Sequence, residues 1–343
     1  MDAKPATITK REVQVLCALV RAHVALGTPV GSRTLCEQYG VGASSATIRN
    51  ALASLEEKGY VHQPHTSAGR VPTERGYRFY VVQCMSDEAL GLDASGAEWR
   101  RQLELQLREG DMQEIMRQLA HIIGDVSKQL GLVLAPRFEK GILGRLELVH
   151  LADSRLLLVV TINQGLVKSL VIEVGSSVSR EDVELVGRRL NERLGGLSMA
   201  EIRQTARERL HSLSESNPQL LRAVVNEIEA LVEVSESELY VSGTSNLCMQ
   251  PEFGDSVQVA GLVDLAEKKD LLARLMSERR GVVVTIGQDH PLLALRQCGM
   301  VTASYDVDGG SGVIGIIGPT RMPYESLMVL VNYAASRAAQ LVC

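Results

Sequence analysis

The sequence predicts an α+β multidomain protein. An N-terminal winged helix-turn-helix precedes an α+β domain that has a helical subdomain inserted in it. Three observations carry this reading. Three short amphipathic segments separated by Gly-marked turns lead directly into a polar hairpin by residue 70. Strand text at 146–174 and again at 282–317 brackets a long stretch of helical text. The length of 343 residues exceeds one core of common size and calls for two or three domains.

Composition supports a folded chain. Hydrophobic residues make up 45% and charged residues 22%, which is enough apolar surface to build cores. Aromatics are only 3%, so those cores must be made of Leu, Val, Ile and Ala. The net charge of −5 is unevenly spread: residues 1–80 hold ten Lys and Arg against six Asp and Glu, leaving the remainder acidic. A basic front on an acidic body places any polyanion-binding surface at the front. The opening MDAKPATITK has no apolar run after its charges, unlike a secretory signal. No apolar stretch approaches the roughly 18 residues that span a bilayer. Cys17, Cys36, Cys84, Cys248, Cys298 and Cys343 form no CxxC pair, which suits reduced thiols in a cytoplasmic protein.

The elements follow in order. Residues 9–25 read as a helix, with Thr9 and Glu12 at capping-box spacing and Val13, Leu16, Leu19, Val20 and Val24 at helical period. Gly27 and Pro29 end it. A second helix starts at Ser32 and ends at Gly40; a third runs from Ser44 or Ser45 to Lys58 and closes at Gly59. Short strands at 60–63 and 70–71, joined by Pro64–Gly69, form a hairpin. Another helix opens at 73. Residues 87–97 read as a linker, and helices follow at 98–109 and 112–130. Strands at 146–151, 156–162 and 166–174 are adjacent and antiparallel. Helices at 181–194, 200–213 and 218–234 come next, then strands at 282–286, 300–305 and 312–317, and a last helix at 324–341. Three strands on each side of the helical block predict one shared sheet with the helices inserted in a loop.

On a helical wheel, Ile48, Leu52 and Leu55 of the third helix share a face, with Ala51 at its edge. Ala46, Asn50, Ala53 and Glu57 point away, and Thr47 and Arg49 occupy the two shoulders. Small residues let a helix enter a major groove, where Arg pairs with guanine and Asn with adenine. Ser44 and Ser45 stand at the helix N-terminus, where free N–H groups favour phosphate. The following loop presents His65, Thr66, Ser67 and Arg70 and has almost nothing to bury. The pairing of such a helix with such a loop predicts DNA binding, with Arg49 and Asn50 toward bases and Ser44, Ser45, Thr47, His65, Ser67 and Arg70 toward the backbone. Lys10, Arg11, Arg33, Arg75 and Arg78 are candidates to widen the basic surface.

Elsewhere the chain lacks the phosphate-loop, zinc-protease, nucleophile-elbow and dinucleotide patterns. The seven His are dispersed. No cofactor, metal or catalytic residue is therefore expected, and the chain does not read as an enzyme. The segment Ile317-Gly318-Pro319-Thr320-Arg321-Met322-Pro323-Tyr324 runs from a strand end into a helix; both a rigid turn and a small-ligand loop fit it.

Four segments together, VGSRTL (30–35), SSATIRN (44–50), LEEKGYVHQPHTSAGRVPTERGYRFYV (55–81) and GVIGIIGPTRMPYESLMVLV (312–331), resemble the HrcA family of heat-shock repressors. The intervening LVHL…LLLVVTINQGLVKSLVIEV (148–174) is also similar to it. The resemblance implies a homodimer with a winged helix at 1–86, a linker at 87–97, a GAF-like domain in two segments (98–178 and 268–343) and a dimerisation subdomain inserted at 179–267. It further implies binding to an inverted-repeat operator, CIRCE, on double-stranded DNA ahead of chaperone operons, and a GroEL-type chaperonin that keeps the repressor active. Two positions depart from the family pattern: Ala51 stands where Glu is frequent, and Gln288-Asp289-His290 where Glu-Asn is. An alternative reading keeps the DNA-binding part but lets the GAF-like domain sense a small effector.

Overall fold

The structure is a computed structural model. It describes residues 8–66, 68–86, 94–108, 110–137, 141–152, 154–162, 166–174, 178–211, 218–233, 238–254, 256–307 and 310–342. The mixture of helix and strand agrees with the α+β expectation.

The N-terminal part opens with α1 (Lys10–Leu26), α2 (Ser32–Gln38) and α3 (Ser45–Glu57). Thr9 and Glu12 close the predicted capping box, and Gly27, in the left-handed conformation, ends α1. Strands β1 (Val61–His62) and β2 (Val71–Pro72) pair antiparallel, with Val61 opposite Pro72. An isolated bridge adds Val30 opposite Arg70, so the stretch before α2 joins the ribbon. Leu16 and Leu19 of α1, Leu35 of α2 and Ile48, Leu52 and Leu55 of α3 are buried. Helix α4 (Glu74–Ser86) follows, and the next described helix, α5 (Ala94–Gln106), begins four residues inside the predicted linker. The rest of the predicted linker, 87–93, lies outside the described residues.

Helix α6 (Met112–Ser127) ends earlier than expected, at Lys128 with φ 55°. The backbone then enters β3 (Leu130–Arg137), an apolar run that in the sequence merely prolongs the stripe of α6. Next come β4 (Leu143–Ala152), β5 (Arg155–Ile162), β6 (Leu166–Glu173), α7 (Arg180–Leu194), α8 (Met199–His211), α9 (Pro218–Glu233), β7 (Leu239–Ser242), α10 (Thr244–Cys248), α11 (Ser256–Glu267), α12 (Lys269–Ser277), β8 (Val282–Ile286), β9 (Cys298–Val307), β10 (Gly310–Pro319) and α13 (Tyr324–Val342).

The single shared sheet is not what forms. One sheet has the order β7-β3-β10-β9-β8, and β4-β5-β6 make a separate three-stranded sheet. The reason is local. β4 pairs with β5 and β5 with β6 along nearly their whole length. Their buried side chains, such as Leu146, Leu156, Leu158 and Ile172, then form one cluster with Val183, Leu190 and Leu194 of α7, Ile202 of α8 and Leu220 and Val224 of α9. In the five-stranded sheet β3 stands beside β10 instead, with β7 beside β3, and the sequence pattern separates neither from neighbouring helical text.

The chain divides into two compact units. The first comprises Met1–Val133, Val241–Ala303 and Ile314–Ala335; the second comprises Leu134–Tyr240, Ser304–Val313 and Ser336–Cys343. No described helix is long and apolar enough to cross a membrane.

Candidate nucleic-acid interface

Helix α3 carries the candidate surface, and its burial follows the helical wheel. Ile48, Ala51, Leu52 and Leu55 face the core, while Ala46, Thr47, Arg49, Asn50, Ala53 and Glu57 are exposed. Among the described residues neither Arg49 nor Asn50 makes a hydrogen bond or ion pair with the protein, so both ends remain available to a ligand. Ser44 is the N-cap: its hydroxyl accepts from Thr47 N at 3.2 Å and lies 2.9 Å from Thr47 Oγ1. Ser45 instead shares a hydrogen bond with Ser32 of α2 at 3.0 Å, which fixes the short turn between the helices.

The far end of α3 is tied twice. Lys58 Nζ reaches both carboxylate oxygens of Glu12 at 2.8 Å. Ser54 Oγ donates to Glu12 Oε1 at 2.6 Å, and Thr9 N donates to Oε2 at 2.7 Å. Burial alone would raise the Glu12 carboxyl, but the hydrogen bonds from Lys58, Ser54 and Thr9 outweigh it and hold it at about 2. Arg75 Nη1 donates to Lys58 O at 2.9 Å, and its guanidinium lies 4.4 Å from the Tyr60 ring centre.

The hairpin leans on the same helix. Arg70 exchanges backbone hydrogen bonds with Val30 at 2.8 and 2.9 Å, and its guanidinium pairs with Glu56 of α3 at 2.8 Å. Gly69 permits this approach, since a Cβ there would lie 2.3 Å from the Val30 carbonyl. At the tip, Gln63 Nε2 donates to Thr66 O and Ala68 O, both at 2.9 Å, and Ala68 N donates to His65 O at 2.8 Å. His65 and Thr66 are exposed. Ser67 lies outside the described residues.

Of the predicted site residues, Ser44, Thr47, Arg49, Asn50 and His65 are exposed on α3 and the hairpin tip, whereas Ser45 and Arg70 are engaged in holding them. Of the wider basic candidates Lys10 is exposed, and the others have partners within the protein. Arg75 caps α3, Arg78 pairs with Glu74 and Asp289, and Arg33 pairs with Glu37. Arg11 donates to Val41 O. The sequence reading missed Gln63, Glu56 and the Glu12–Lys58 pair; only Glu12 left a signal, through its capping-box spacing.

Comparison with known proteins decides the family. A model for the HrcA protein C terminal domain matches residues 113–328. The heat-inducible transcription repressor HrcA of Prosthecochloris aestuarii (strain DSM 271 / SK 413) is 35% identical, with 97% of each chain covered. The chain belongs to the HrcA family. A second HrcA, from Pelotomaculum thermopropionicum (strain DSM 13744 / JCM 10971 / SI), is also 35% identical, over 97% of this chain and 96% of its own. A crystal structure described as a hypothetical protein at 2.2 Å resolution covers 98% of this chain and 99% of its own, with TM-score 0.68 and 23% identity; that likeness concerns the fold alone. These HrcA relatives are named transcription repressors, and the likeness supports a negative regulator of transcription. Among the described residues no three His, Cys, Asp or Glu side chains are grouped to hold a metal.

Proposed function

We propose that this HrcA chain is a homodimeric repressor whose two winged helices, built from α1–α4 and the β1–β2 ribbon, read an inverted repeat on double-stranded DNA. The observation that carries the reading is the outward face of α3. Arg49 and Asn50 stand unengaged by described residues between small side chains, while Ser45, Ser54 and Glu56 of the same helix are tied to other elements. Small neighbours allow a deep seat in the major groove, and the hairpin tip with His65 and Thr66 rests on the adjacent backbone. Ser44 and Thr47 face phosphate at the start of the helix.

The sheet β4-β5-β6 buries one face against α7–α9, and Val149, Leu157 and Val171 lie in register across the other. Val149 is 43% exposed, Val171 47% and Val167 58%, an apolar face that a second copy would cover. On this reading the dimerising subdomain is longer than the sequence pattern allows, taking in β4–β6 as well as α7–α9. The five-stranded sheet and its helices form the GAF-like part. Control of chaperone operons and maintenance by a GroEL-type chaperonin rest on the family resemblance.

A gel-shift with a CIRCE inverted repeat, with and without GroEL-type chaperonin, tests the reading. The expected result is a shifted complex on the repeat, absent on a scrambled duplex and strengthened by chaperonin. Equal affinity for both duplexes would remove the claim of sequence-specific reading.

A further inference from the structure

The turn 317–324 is singled out by the sequence and unused by the DNA-binding face. In the structure it grips the N-terminal helices. Arg321 Nη1 donates to Val24 O of α1 at 2.7 Å, and Arg321 Nε pairs with Glu252 at 2.6 Å. One turn earlier on α1, Arg21 pairs with Glu325 in the first turn of α13 at 2.7 Å. Between these polar contacts the rings of Tyr77 and Tyr324 lie 6.1 Å apart, both buried, and His23 Nδ1 is 2.7 Å from the Tyr77 hydroxyl.

A second grip holds α4. Arg78 pairs with Asp289 at 2.6 Å and donates to Ile286 O at 3.3 Å. The Glu74 carboxylate accepts from Gln288 N at 3.2 Å. The approach is close enough that a Cβ at Gly287, which has φ +60°, would lie 2.2 Å from the Glu74 carboxyl carbon. The helices held here are the ones that hold α3, through Glu12–Lys58 and the buried leucines of α1. A cation bonded to a last-turn carbonyl also complements the helix dipole.

We infer that Arg321 is a positioning residue for operator binding. It touches no DNA-facing side chain. By bridging Val24 and Glu252 it fixes the direction in which each subunit presents α3, and so the separation at which two half-sites are read at once. This rests on the inverted-repeat reading above. Bivalent binding gains from matched geometry, because the second contact occurs at high effective concentration only when the sites align.

The test uses the full chain with three sets of duplexes: an intact CIRCE repeat, repeats with the spacer altered, and a duplex with one half-site scrambled. Arg321→Ala is expected to bind the single half-site within about twofold of the parent but the intact repeat at least about tenfold more weakly. It should also discriminate less among spacers, and Arg321→Lys, which retains one of the two bonds, should recover part of the loss. Glu325→Gln loosens the same grip from the α13 side and should act in the same direction, which keeps the test available if Arg321→Ala fails to fold. Equal loss on half-site and intact repeat, or no loss on either with both variants, overturns the proposal. A parent protein that does not prefer the intact repeat over the half-site would instead withdraw the inverted-repeat reading itself.

Discussion

Lys58 Nζ sits 2.8 Å from both carboxylate oxygens of Glu12, joining the end of α3 to the beginning of α1. The same carboxylate completes the Thr9 capping box and accepts from Ser54, and Glu12 is only 5% exposed. One acidic side chain thus sets where α1 starts and where α3 stops.

Replacing Glu12 by Gln should cost about 3–5 kcal/mol, because it leaves the Lys58 ammonium half of a broken, largely buried pair. The carboxyl is lowered from 4.5 to about 2 in the folded chain. Its stabilisation is therefore complete above about pH 4.5 and is lost as the pH falls through about 2. Urea melts followed by circular dichroism should show the parent weakening across that window while Glu12→Gln changes little. Equal stability of the two at pH 7 would mean the pair does not hold α3.

His23 titrates with the same sign at higher pH. Burial first, then the Arg321 charge, push its imidazole from 6.5 down to about 4, with His62 adding to the effect and Glu252 opposing it. The Tyr77 hydroxyl faces it as well. A lowered folded value means that the unfolded chain takes the proton first. The contribution of the neutral ring is whole above about pH 6.5 and falls away as the pH drops toward 4. His290, lowered to about 4 by burial and Arg279, acts in the same window. Thermal melts of His23→Gln should therefore lose part of the parent's dependence on pH between these values. An unchanged slope would place His23 in solvent.

Gly69→Ala forces a methyl into the Val30 carbonyl, so the Val30–Arg70 bridge must open. The expected cost is about 1–3 kcal/mol, with faster amide exchange at Val30 and Arg70. Protection equal to the parent's would show that the hairpin base accommodates a side chain.

Val149→Asp or Val171→Asp places a charge on the uncovered face of β4-β5-β6. Light scattering should then show dissociation, with the dimer weakened by about 2 kcal/mol or more, roughly thirtyfold in Kd. The core of that sheet lies on its opposite face, so far-UV circular dichroism should be unchanged. A dimer of parental strength would move the interface elsewhere.

The helical text of the N-terminus was legible because capping and period agree there. Thr9 with Glu12 and the Ile48-Leu52-Leu55 face point to the same elements, while the choice between Ser44 and Ser45 as cap rests on the Ser44–Thr47 bond of the fold. The direction of Arg49 and Asn50 followed from that face. The tasks of Arg70, Arg75 and Arg78 did not, because a guanidinium reads identically in sequence whether it meets DNA or an internal carboxylate. Glu56 and Asp289 acquire meaning only when the chain brings them within 3 Å. β3 was hidden for a different reason. Leu130, Leu132 and Leu134 continue an apolar stripe, and only the left-handed Lys128 marks the change from helix to strand. The two sheets are likewise not separable by pattern, since alternation along a strand says which face is buried but not which partner buries it.

The central claim is that α3 reads bases. The direct test is equilibrium binding of full-length parent and Arg49→Ala to a CIRCE duplex and to a scrambled duplex of equal length, at several salt concentrations. Arg49→Ala should lose about 1–3 kcal/mol on the repeat and little on the scrambled duplex, with both complexes weakening as salt rises. Equal losses on the two duplexes, or none on either, would contradict the assignment of α3 as the reading helix.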